Sequence, residues 1–188
     1  VMPLIDRGAV VVMTSGLLAN AKDGEKLAKL AGVSMKKLSK TLSTKKIFDG
    51  DVQHVLPHPL DMEVSLKAIN AEALLNAKIG SKKAAFFTKS KSANIYVLNS
   101  HTFSQKDFDA VGEVLLCPKQ LGLLELPQSW ANTIRSSFTK NLGIELKAPT
   151  RVAMQPFGSH VMLHNYNKEK VSVTLAIEPG GIWDAPSG

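Results

Sequence analysis

The sequence holds one cysteine, three arginines, and few aromatic residues, which make up 6% of the chain. A single Cys117 excludes an internal disulfide, and its setting, Val114-Leu115-Leu116-Cys117 before Pro118, is that of a packed core thiol. No stretch approaches the eighteen or so apolar residues that a membrane-spanning helix needs. No charged leader with a cleavage site is visible at the start. A glycine-rich phosphate loop is missing, as is any repeat at solenoid spacing, so no cofactor and no repeat architecture are expected.

The shortage of arginine and aromatics also bears on charge. The net charge is +7 and raises the question of anionic partners. Lysines 36, 37, 40, 45 and 46 form one group and lysines 78, 82, 83, 89 and 91 another. Nucleic-acid binders interleave such charge with arginines and stacking aromatics. Both groups lack arginine and hold almost no aromatics, so a solvated lysine-rich surface is expected rather than a nucleic-acid interface.

What is present is the composition of a globular protein, 44% hydrophobic and 21% charged, with length for one domain or one plus a small module. It opens on Val1 rather than Met, which leaves room for an excised piece of a longer protein. Residues 9–18, AVVVMTSGLL, read as a buried strand whose carboxyl end turns into a helix at Thr14-Ser15-Gly16. Buried strands of this kind belong to parallel sheets, whose ligands collect outside the carboxyl ends of the strands.

Asp23 is placed to cap a short helix bearing Leu27, Leu30 and Ala31, with Gly32 as its stop. Residues 33–46, with Met35, Leu38 and Leu42, fit either an amphipathic helix or an exposed connection. Gly50, Pro57 and Pro59 predict irregular chain over 47–60. Alternation of Met62, Val64, Leu66 and Ala68 with polar residues predicts a half-buried strand, and 73–79 another. Residues 84–88 and 94–98 flank a polar linker as a hairpin. A capping-box pattern at Ser104 and Asp107 starts a further helix. Residues 127–142 predict the strongest helix, with Trp130, Ile134, Phe138 and Leu142 on one face and Gly143 beyond. After Pro149, residues 151–155, 161–166 and 171–177 read as three short strands. The expectation is an α/β fold over 1–148, a partly parallel sheet with flanking helices, followed by a small all-β unit over 149–188.

Ser15 is the one nucleophile in a site-like position. The glycines of a nucleophile elbow are absent around it, and capping of the following helix accounts for it equally well. His101 follows the strand 94–98 at its carboxyl end. If that strand neighbours 9–14, Ser15 and His101 face one crevice, with Asp107 or Asp109 to orient the imidazole. His54 and His58 have the spacing of helical metal ligands, but Pro57 between them argues against a helix, and no metal site is expected. The acid pairs Asp49/Asp51 and Asp107/Asp109 are closer in sequence than glycosidase carboxylates from separate elements. Trp130 is expected in the core. Tyr166 and Trp183 are the rings available to stack against a sugar face.

Two sets of segments resemble a known arrangement. VVVMTSGLL and NIYVLNSHTF resemble the amidotransferase-like, flavodoxin-like domain attached to β-galactosidase-type glycoside hydrolases. RVAMQPFGSHVMLHNYNKEKVSVTL looks like the small C-terminal β-sandwich of such enzymes. Together they cover about half of the chain. In that family catalysis belongs to a separate barrel, and none fits here. The resemblance therefore implies an accessory, non-catalytic region serving assembly or carbohydrate contact. Its partners would be a catalytic domain of a longer parent protein, or a second copy of itself. The alternative is a small serine hydrolase using Ser15 and His101.

Overall fold

The computed structural model describes residues 1–49, 51–79, 82–99, 125–139, 142–158 and 160–177. It corrects the expected fold class. The described residues are mostly β, with a curled mixed sheet and four helices, rather than a flavodoxin-like sheet covered by helices. Helices α1 (Met2–Asp6), α2 (Ser15–Asn20) and α3 (Gly24–Leu30) are short. Strands β1 (Val11–Thr14), β2 (Val33–Asp49), β3 (Val52–Ala68), β4 (Ala71–Ile79), β5 (Lys82–Ser90) and β6 (Ile95–Leu98) form one six-stranded sheet in the order β1-β6-β5-β4-β2-β3. Only β1 and β6 pair in parallel among the described strands.

The correction comes chiefly from β2. Its apolar positions change parity, from Val33 and Met35 to Leu38 and Leu42 and back to Ile47, which imitates helical spacing. The cause is visible in the pairing with β3: register shifts fall between Lys37 and Leu42 and between Thr44 and Lys46. Each shift moves the inward side of β2 by an odd number of residues, so a strand with two irregularities loses its period of two.

The prolines of β3 are accommodated by the same device. At the second shift Thr44 pairs with Leu60 and Lys46 with Val55, so Pro57 and Pro59 lie in the unpaired excess. β3 is also last in the strand order, where a missing N–H costs the ladder least. The expected irregular stretch is thus a strand. The expected alternation holds beyond it, with Leu60, Met62, Val64 and Leu66 all buried.

The hairpin expected over 84–98 is β5 and β6, with Phe87 opposite Leu98 and Thr88 opposite Val97. The main core gathers Val11, Met13, Leu18, Leu27, Ala28, Ala31, Val33, Leu66, Ile95 and Val97, so α2 and α3 pack their apolar faces on the sheet. Gly32 ends α3 at φ +69°, and its carbonyl accepts from both Ile69 and Asn70 at 2.9 Å.

The described contacts divide the chain into two compact units, Val1–Leu126 and Pro127–Gly188. The second contains α4 (Gln128–Thr139), β7 (Ile144–Lys147), β8 (Val152–Phe157), β9 (His160–Asn165) and β10 (Thr174–Ile177). β7 lies before residue 149 and pairs antiparallel with β10, which lies after it. A small core of Leu146, Ala148 and Val152 takes in Met154, Val171 and Leu175. Of the expected apolar face of α4, Trp130 is buried while Phe138 is 54% exposed. Helix-to-strand attachment is polar instead. The Arg135 guanidinium donates to the carbonyls of Ala148, Pro149 and Val152, and Asn132 Oδ1 accepts from Ala148 N.

Candidate functional site

The parallel pair β1–β6 is where the sequence pointed first. Val11 lies opposite Ile95 and Thr14 opposite Leu98, so the carboxyl ends of the two strands sit side by side. Thr14, not Ser15, caps α2: its Oγ1 accepts from Leu17 N at 3.1 Å. Ser15 is the first helical residue and is 1% exposed. A hydroxyl so covered offers no approach to a substrate carbonyl. His101, Asp107 and Asp109 lie outside the described residues, as does Trp183.

The residue that continues β6 at this end is Asn99, which the sequence reading passed over. It is fully buried. Its N–H donates to Phe86 O at 2.7 Å, and its side-chain amide donates to Val64 O and Ala85 O, both at 3.2 Å. Asn99 Oδ1 and Thr88 Oγ1 are buried with no hydrogen-bond partner among the described residues. Because Val64 belongs to β3 and Ala85 to β5, one side chain ties the far end of the sheet to its middle, which is what the curl requires. A polar residue directly after the apolar run Ile95-Tyr96-Val97-Leu98 was the available signal.

A recess of about 530 Å³ opens by the β5–β6 turn, lined by Ile5, Gly8, Glu72, Lys89, Ser92 and Asn94 among others. Much of its polarity is engaged within the fold. Ser90 Oγ donates to Leu30 O at 3.0 Å and Asn94 Nδ2 to Gly8 O at 3.2 Å. Among the described residues no three His, Cys, Asp or Glu side chains come together as metal ligands; His54 lies on β3. No described helix is long and apolar enough to cross a membrane.

The second unit presents a different surface. β8 and β9 form a two-stranded ribbon, with Met154 opposite Leu163, Gln155 opposite Met162 and Pro156 opposite Val161. Phe157, Met162, Leu163 and Tyr166 are 48%, 45%, 38% and 67% exposed. Tyr166, the expected sugar platform, stacks on His164 with ring centroids 5.9 Å apart, and its N–H donates to Arg151 O. A lone two-stranded ribbon is marginal in water, and one with apolar side chains on both faces more so. No family model matches the sequence, and no curated protein or solved structure matches it either.

Proposed function

We propose that this chain is an accessory, non-catalytic region of a carbohydrate-processing protein and that its task is assembly. The observation that carries the reading is the β8–β9 ribbon, which leaves Phe157, Met162 and Leu163 in solvent beside the small cluster of Leu146, Ala148 and Val152. Side chains kept for a partner differ from side chains kept for the fold in what their loss does. Replacing Phe157 and Met162 together by Ser should leave the thermal midpoint nearly unchanged, within about 1 kcal/mol of stability. The pure chain should turn over neither aryl glycosides nor aryl esters. A loss of several kcal/mol, or measurable glycoside turnover, would sink the proposal.

The parallel pairing of β1 with β6 favours a second reading, a hydrolase with Ser15 as nucleophile, because it brings the turn after β1 beside the chain leading to His101. Against it stand the burial of Ser15 and the capping by Thr14. Aryl-ester turnover abolished by Ser15→Ala would establish this reading in place of the first.

A further inference from the structure

We propose that the ribbon's partner is a second copy of this chain, added through the outer edge of β9 to make a four-stranded antiparallel sheet, β8-β9-β9-β8. The inference rests on the assembly reading and names its partner. The two edges of the ribbon differ. On β8, Pro156 has no N–H to offer, and the Val152 carbonyl is taken by Arg135. β9, running His160-Val161-Met162-Leu163-His164-Asn165, has no proline and no lysine, the residues with which exposed edges are blunted. Among the described residues no strand pairs with its outer side.

Charge argues for the same place. The chain carries +7 overall, so two copies repel over most of their surface. From Val152 to Asn167 there is no Asp, Glu, Lys or Arg. Two copies can therefore meet along the ribbon without setting ammonium against ammonium.

Symmetry then limits the register. Two antiparallel strands related by a two-fold axis keep the same face, so opposed residues have numbers of equal parity. Centring on Met162 sets each Val161 opposite the second copy's Leu163. Centring on Leu163 would set Met162 against His164 and Val161 against Asn165. The first register matches apolar with apolar. It makes a row of Met154, Leu163, and the second copy's Val161 and Pro156 across all four strands.

The test uses the full chain with Cys117→Ser, so that an introduced thiol is the only one. Met162→Cys should close a disulfide across the axis on mild oxidation, since directly opposed residues lie within disulfide reach. Gln155→Cys, on β8, should remain uncrosslinked. Unmodified chain should sediment as a dimer at about 100 µM, and Leu163→Lys should weaken the dimer by about tenfold or more while keeping the thermal midpoint at dilutions where both proteins are monomers. A monomer at that concentration with no Met162→Cys disulfide would overturn the second-copy proposal and leave assembly with another protein standing. Equal crosslinking at both cysteines would overturn the β9 register. Glycoside turnover would instead remove the assembly reading itself.

Discussion

Gly32 is a position at which one methyl group should do severe damage to the first unit. It stands at φ +69°, and a Cβ built there would overlap the carbonyl of Asn70 and crowd Ala71 N at 3.1 Å. The obstacle is backbone, so no rotamer relieves it. Gly32→Ala should first cost roughly 1–2 kcal/mol for placing an L side chain in the left-handed region. Moving Asn70 away would also break or lengthen the two 2.9 Å bonds from Ile69 and Asn70 to Gly32 O. At about 1 kcal/mol each, the total becomes about 3–4 kcal/mol. For a chain of this size that is a fall of about 10 °C in the unfolding midpoint. Gly8→Ala supplies the control: φ is +73°, but nothing lies within 4 Å of its Cβ, so only the conformational part applies. Circular dichroism melts of the two variants separate collision from conformation. Amide exchange should speed up at Ile69, Asn70 and Lys91, whose N–H groups bond across this junction. Equal midpoint shifts for Gly32→Ala and Gly8→Ala would refute the reasoning.

Three further outcomes follow from single side chains. Arg135→Lys should destabilise the second unit by about 2 kcal/mol, because an ammonium cannot reach three carbonyls as the guanidinium fork does; a melt unchanged from the parent would contradict this. Burial lowers the Arg135 pKa from its usual value, yet a guanidinium keeps its proton throughout the working range, so the loss should not vary between pH 5 and 9. Thr14→Ala should cost about 1 kcal/mol through loss of the bond to Leu17 N, whereas Thr14→Ser should retain most of it; urea titrations giving equal midpoints for both variants would remove Thr14 as the cap. Asn99→Ala should cost about 3 kcal/mol, since it strips donors from two buried carbonyls at once, and a change under 1 kcal/mol would show that the sheet closes without it.

Local order was legible wherever one rule governed a segment. The β5–β6 hairpin, the alternation from Met62 to Leu66 and the Gly32 stop were each readable from a few residues. β2 and the first half of β3 were not, because register shifts hide the period of two and because Pro57 and Pro59 sit where pairing lapses. Neither effect can be read without knowing the partner strand. α4 was legible as a helix with Trp130 buried, but its face does not run on to Phe138, and the bonds of Arg135 to the Ala148 carbonyl and of the Ala148 N–H to Asn132 could not be read from spacing. Ser15 and His101 were reasonable choices for a parallel sheet, and the β1–β6 pairing they depend on is present. The burial of Ser15 is set by α2 folding back on the sheet, which sequence spacing does not reveal.

That pairing also sets the strand ends of this sheet apart from those of a parallel α/β sheet. In a parallel α/β sheet, successive strands diverge at a switch point and leave a crevice outside their carboxyl ends. Here one parallel pair sits at the margin of an otherwise antiparallel sheet, and the antiparallel strands curl until β3 returns toward β6. Asn99, directly beyond β6, donates its amide to Val64 O and Ala85 O. The antiparallel ribbon of the second unit leaves an edge, β9, uncharged and free of proline. The proposed pairing through β9 therefore makes association the measurement to carry out before turnover.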